Sequence, residues 1–172
     1  LAATGAVRSP VVLGAVSRLV RWVYHRCARV LVQSRAFIPE VARHGVPRAH
    51  ILYFPNWVEA GYRVLDARLP NKVPSLPAGF RVMFAGNIGA AQDFPAVLAA
   101  AERLKERMDV HWLIVGDGRM ADWAKKKVHD CGLEERVRFL DQQPSEAMPH
   151  FFAAADALLV SLKPEPIFAL TV

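Results

Sequence analysis

The stretch RVMFAGNIGAAQDFPAVLAAAERL, residues 81–104, decides how the rest of the chain is read. It opens as a short apolar run, breaks at Gly86 and Gly89, and continues with apolar residues at helical spacing. A run of strand length, a glycine bend and an amphipathic helix make the first part of a β-α-β unit. The same signals recur downstream: strand 80–85, helix about 93–107, strand 110–115, helix about 119–131 stopped by Gly132, strand 136–140, short helix 145–154 and strand 157–162. Such alternation predicts an α/β fold, a doubly wound parallel sheet of Rossmann-like type with helices on both faces.

Upstream, residues 10–28 read as a helix with Pro10 at its start and Ser9 as N-cap. Arginines 18, 21 and 29 fall near one side, and Val12, Ala15, Leu19 and Val23 near another. That pattern fits an ordinary surface helix, or a basic, Trp-bearing helix lying at an anionic membrane surface. Strand 29–33 follows, then a cap at Ser34, helix 35–43 closing at Gly45, and a strand in HILYFPN ended by Pro55-Asn56. Residues 57–79 hold three prolines and two glycines without a sustained period and read as a linker. The expected organisation is therefore the end of one α/β domain at 1–56, the linker 57–79, and a second, incomplete domain at 80–172. A start at Leu1 and an end in FALTV read as an excised piece of a longer protein.

Composition narrows the function. A hydrophobic fraction of 53% over 172 residues implies a packed core rather than disorder. The longest apolar stretch, 10–23, is interrupted by Arg18 and Arg21, so no membrane-spanning helix is expected. Cys27 and Cys131 form no CxxC, which points to a reducing, cytoplasmic setting. The six histidines (25, 44, 50, 111, 129 and 150) show no HxH or HxxxH spacing, and no metal is expected. A net charge of +6 implies an anionic partner: nucleic acid, a membrane surface or a phosphorylated metabolite. Nucleic acid is disfavoured, because the aromatics are not interleaved with Lys or Arg and no recognition motif is present.

Ligands of open parallel sheets sit at the carboxyl ends of the strands. Two loops there are glycine-rich: GNIGAAQD, with Gly86 and Gly89, and VGDGR, with Gly116 and Gly118. Glycine admits close approach of a ligand, and a helix N-terminus behind it suits phosphate. Either bend alone reads equally well as a plain turn. Two in consecutive units share one edge of the sheet. GNIG lacks the middle glycine of GxGxxG, GDGRMA lacks the last, and GxxxxGK[ST] is absent, which disfavours dinucleotide oxidoreductases and P-loop NTPases.

The order FAGNIGAAQDFPAVLAAAERL, then HWLIVGDGRMADWAKKKVHDCGLEERVRFLDQQPSEAMPHFFAAADALLVSL, resembles the C-terminal, donor-binding half of a GT-B retaining glycosyltransferase of family 4. ARVLVQSRAFIPEVARHGVPRAHILYFPNWVE is similar to the last strand-helix-strand of that family's N-terminal half, so the likeness spans roughly residues 10–172. It implies transfer of a sugar from a nucleoside diphosphate sugar, UDP-linked by preference, with retention and without metal or other cofactor. Gly86, Asn87, Gly89 and Gln92 would lie against the diphosphate. The family usually places an Arg and a Lys there, and having Asn87 and Gln92 instead resembles a subgroup of bacterial surface polysaccharide assembly, often using aminosugar donors. Gly116, Asp117, Gly118 and Arg119 would border the nucleotide, and Gln143 and Pro144 would meet the base through backbone groups. Glu165 would grip sugar hydroxyls as the first acid of a Glu-x7-Glu pair, with Lys163 aiding the leaving phosphate. The plain reading of those two is a solvated loop pair.

The resemblance further implies a glycan or lipid-linked acceptor, contact with the inner membrane face, and no transferase activity in this chain by itself. The competing reading is a non-catalytic nucleotide or phosphosugar-binding module on the same sheet. His111 and His129 read as structural, Lys125–Lys127 as the wet face of a helix, and Trp112 and Trp123 as core or core-edge residues.

Overall fold

The computed structural model describes residues 9–58, 61, 62, 65 and 73–171. The chain divides into two compact units: residues up to Trp57 together with those from Pro164 onward, and Val58–Lys163.

The first unit opens with α1 (Pro10–Arg26). Pro10 sits in the first turn, where a missing N–H costs nothing, and the Ser9 carbonyl accepts the Leu13 N–H at 3.0 Å. The Ser9 hydroxyl makes no cap bond, so capping here is by backbone alone. Strands β1 (Val30–Val32) and β2 (Ile51–Tyr53) pair in parallel, Val30 opposite Ile51, and α2 (Phe37–Arg43) connects them. The Ser34 hydroxyl accepts the Ala36 N–H at 3.2 Å just before that helix. Val32, Ile38, Val41, Val46 and Ile51 form the core. Residues 164–171, which the sequence reading joins to the second domain, group with this unit and end in a 3-10 turn, Phe168–Leu170.

The second unit is a four-stranded parallel sheet of β3 (Phe80–Ala85), β4 (Val110–Val115), β5 (Val137–Phe139) and β6 (Ala157–Leu159), in the order β5-β4-β3-β6. The helices are α3 (Phe94–Arg103), α4 (Ala121–Asp130) and α5 (Met148–Ala153). Successive strand residues point to opposite faces. Phe84, Trp112 and Ile114 pack with Phe94, Val97 and Leu98 of α3 and Ala124 and Val128 of α4. Met83, Leu113 and Val115 pack on the other face with Leu140 and Phe151. Both faces are thus covered, which is why β3 and β4 read as continuous apolar runs rather than alternating ones. Phe84 and Phe94 meet edge to face at 5.0 Å, worth about 1 kcal/mol beyond their burial. The chain winds from β3 outward to β5, then returns to β6 on the other side of β3. The fold is the doubly wound α/β sheet that the alternation implied.

Several boundaries are shorter than the periodicity suggests. Helix α3 ends at Arg103 rather than near 107, because the N–H groups of Leu104, Lys105 and Arg107 turn back three residues instead of four. Strand β6 stops at Leu159, where its pairing with Phe84 of β3 ends; Val160 beyond it is 87% exposed. The helix expected at 145–154 is a 3-10 turn, Ser145–Ala147, followed by α5. Of the expected linker, 59, 60, 63, 64 and 66–72 lie outside the described residues.

The edge strand β6 is stitched to β3 by Asp156. Its carboxylate accepts the Arg81 N–H at 2.8 Å and Arg81 Nε at 3.2 Å, while its own N–H donates to the Arg81 carbonyl at 2.9 Å. The bond from the Arg81 backbone, then that from its guanidinium, holds the Asp156 carboxyl below the usual carboxylate range. A depressed folded-state value stabilises the fold above the unfolded value, about 4, and the benefit is lost as pH falls through the folded value. Asp156→Asn is therefore expected to lower the urea midpoint at pH 7, with the gap to the parent narrowing as pH falls below about 4. A gap that stays the same as pH falls would contradict this role.

Candidate functional site

The two glycine loops end the adjacent strands β3 and β4, and they interlock. Gly86 N–H donates to the Val115 carbonyl at 2.9 Å, Ile88 N–H to the Asp117 carbonyl at 2.8 Å, and Met120 N–H to the Ile88 carbonyl at 2.9 Å. The Ile88 side chain, 0% exposed, is sunk into the core shared with α3 and α4. Two glycines make this approach possible. A Cβ on Gly116, at φ +134, would stand 2.0 Å from the Gly86 carbonyl oxygen, and one on Gly118 would stand 2.5 Å from that of Ile88. Glycine at both positions is what this loop-on-loop contact requires.

No helix starts directly at GNIG. A 3-10 turn, Ala90–Gln92, and Asp93 at φ +48 intervene before α3. The donors left open at this edge are instead the N–H groups of Asn87 and Asp117. Both residues are exposed, and neither N–H is bonded among the described residues.

These two residues face a cleft of about 480 Å3 at the carboxyl ends of β3, β4 and β5. Gly86 and Asn87 line it from the first loop, Gly116 and Asp117 from the second, and Gln142, Gln143 and Ser145 from the segment after β5. Tyr62, Met148 and Phe152 complete its apolar wall. Of the residues singled out in the sequence, the cleft thus gathers Gly86, Asn87, Gly116, Asp117 and Gln143.

The others are placed elsewhere. Gly89 is buried, and Gly118 lies under the Asn87 side chain, whose Oδ1 is 2.5 Å from where a Cβ of Gly118 would be. Gln92 lies behind the loop, with Oε1 buried and unbonded 2.8 Å from the Cβ position of Gly89. Arg119 is exposed on the second loop and forms no ion pair among the described residues. The Pro144 carbonyl accepts the Ala147 N–H at 3.0 Å and so starts the 3-10 turn. Lys163 follows β6, and its N–H donates to the Ala91 carbonyl at 2.8 Å. Glu165 belongs to the other unit, where its carbonyl accepts the Phe168 N–H at 2.9 Å.

Seven described lining residues escaped the sequence reading, two of which, Ala85 and Val115, are the last residues of β3 and β4. Ser145 and Met148 begin, and Phe152 lies within, the helical segment that leaves the same sheet edge, so the position of that segment is a usable signal. Gln142 adjoins the segment already singled out. Tyr62 sits in a stretch without period, and nothing in the pattern points to it.

The electrostatics are unusual for an anion site. Among the described lining residues there is no Lys or Arg, and the one charged residue, Asp117, accepts the Gly118 N–H on Oδ1 at 2.7 Å. Nearby, Lys125 of α4 bonds Asp141 at 3.0 Å, which holds the ammonium above its usual range, and the Asp141 carbonyl accepts the Gly116 N–H at 2.8 Å. That pair ties α4, the end of β5 and the second loop together. Among the described residues, no group of three or more His, Cys, Asp or Glu is placed to hold a metal ion. Among the described lining residues of the cleft there is no His or Cys. Its chemistry is binding: main-chain and side-chain amides, a hydroxyl and an aromatic wall.

Comparison with known proteins gives this arrangement a context. The profile of the family Glycosyl transferases group 1 matches residues 69–170. WcaI of Escherichia coli K12, named for glycosyl transfer in colanic acid biosynthesis, is 30% identical over 145 residues, 81% of this chain and 35% of that protein. Alr3699/HepE of Anabaena, solved in complex with UDP and glucose, is similar with a TM-score of 0.67 at 18% identity, over 87% of this chain and 42% of that one. A glycosyltransferase from Rickettsia africae is similar with a TM-score of 0.67 at 16% identity, over 84% of this chain and 42% of its own. At such identities the structural likeness is one of fold. The chain spans 35% of the length of this curated relative and 42% of each of these solved structures.

Because Gly116 touches the Gly86 backbone directly, Gly116→Ala is expected to destabilise the second unit by more than about 2 kcal/mol, through strain at positive φ and displacement of the first loop. Chemical denaturation measures this. A loss below about 0.5 kcal/mol would show that the loops are not locked together.

Proposed function

The chain belongs to the Glycosyl transferases group 1 family and has the fold of the GT-B enzymes, and from that premise we propose that its second unit holds the nucleoside diphosphate of a sugar donor. The observation that carries this is the pair of open N–H groups, Asn87 and Asp117, at the ends of adjacent strands in one cleft. Free main-chain amides at the ends of adjacent strands bind phosphate oxygens without needing a side-chain charge. Arg119 and Lys163 are the cations we assign to screening the diphosphate from outside the lining. The Asp117 carboxylate accepts hydrogen bonds only and repels phosphate, so its partners are the hydroxyls of ribose or of the donor sugar.

UDP-linked donors are favoured, in keeping with the UDP and glucose bound by HepE. We further propose a retaining transfer of a hexosyl or N-acetylaminosugar group of family 4 type. It would proceed by charge stabilisation of the leaving diphosphate, without a metal or cofactor. Gly86, Gly89, Gln92, Gly118 and Pro144 are assigned to shaping the loops around the donor. A glycan or lipid-linked acceptor in surface polysaccharide synthesis accords with the name of WcaI. No described helix is long and apolar enough to cross a membrane. Helix α1 carries Arg18, Arg21 and Arg26 beside exposed Leu19 and Trp22 and no acidic residue, which supports contact with the inner membrane face.

Calorimetric titration with UDP, GDP, ADP and NAD tests the reading. One nucleoside diphosphate, UDP, is expected to bind without turnover by this chain alone. Arg119→Ala should weaken it several-fold and flatten its salt dependence. Absence of binding by all three diphosphates, or preference for NAD, would contradict the assignment.

A further inference from the structure

Tyr62 differs from the rest of the cleft lining because it comes from the segment that precedes β3 rather than from the sheet's own loops. Its ring centroid lies 5.9 Å from that of Phe152, with the planes tilted by 35°. That spacing is direct ring contact, so no planar group fits between the two. Phe152 packs against the core formed by Met83, Leu113, Val115 and Phe151, and therefore stands as a firm backing. Tyr62 itself is half-buried and keeps part of its ring open to the cleft.

We propose that Tyr62 is a further binding residue that stacks on the base of the nucleotide, a role that rests on the donor-binding reading above. The cleft is amphiphilic in the way a nucleotide is. The open N–H groups of Asn87 and Asp117 suit the phosphates, while the Tyr62–Phe152 wall suits a flat, weakly polar ring. Gln142, Gln143 and Ser145 supply donors and acceptors for the edge of that ring. The Gln143 amide is already held by its bond to the Leu140 carbonyl, which fixes what it can offer. A stack on Tyr62 needs no lining cation, and so relieves a site poor in positive charge of part of the burden of affinity. It also makes nucleotide binding depend on a residue outside the strands and helices of the sheet.

The test uses the 172-residue chain with UDP, uridine and inorganic pyrophosphate as probes, pyrophosphate being read by displacement of UDP. Tyr62→Ala is expected to weaken UDP and uridine about tenfold or more and to leave pyrophosphate unchanged. Tyr62→Phe keeps the ring and should bind like the parent. Tyr62→Leu keeps apolar packing without a ring and should behave like Tyr62→Ala. Parent-like UDP affinity in Tyr62→Ala or Tyr62→Leu would overturn the stack and leave the donor site standing. Equal loss of UDP and pyrophosphate would also overturn it, since that marks a collapsed cleft. A parent chain that binds neither UDP nor uridine would remove the donor reading and this proposal together.

Discussion

The interlock of two loops through Ile88 is the constraint on which the second unit depends. Its side chain is fully buried between α3 and α4, and its N–H and carbonyl are both bonded to the turn that follows β4. A residue held at three points leaves its neighbours little freedom. Asn87 and Asp117 are presented outward because the residues beside them are committed inward. Glycine at 116 and 118 is what allows the backbones to come this close. The result is an edge of the sheet with preset donors, which lose little conformational freedom when a ligand arrives.

The parallel sheet supplies the rest. Covering both faces with helices leaves only the strand ends for a ligand, and α5 on one face turns the space above β3 and β4 into a walled cleft. Charge does not build this site. The described lining is neutral apart from Asp117, and Lys125 is engaged with Asp141. The net positive charge of the chain lies mostly on helix faces, where it steers anions rather than gripping them. This division distinguishes the site from one that holds phosphates with an Arg and a Lys, and it shifts the demand to geometry.

Much of this was legible in the residues. Apolar runs at 80–85 and 110–115 gave two strands whose bounds match the structure, because strands buried on both faces leave an unbroken signal. Gly86, Asn87, Gly116, Asp117 and Gln143 follow from strand ends at one edge, so strand assignment located them. What the pattern does not reveal is a second need for glycine: at 116 and 118 it allows contact between loops, which no single-loop motif shows. Helix ends were overextended where the chain tightens into three-residue turns, a matter of local hydrogen bonding that periodicity does not encode. Tyr62 was invisible because a tertiary contact with Phe152, distant in sequence, gives it its position.

The most direct measurement is backbone amide NMR of the chain during titration with UDP. The account predicts that the Asn87 and Asp117 amide signals move and saturate together, while that of Ile88, already bonded to the Asp117 carbonyl, moves little. Binding of UDP with shifts confined to the residues around Arg136, Arg138 and His111, which line a separate cavity of about 260 Å3, would contradict it.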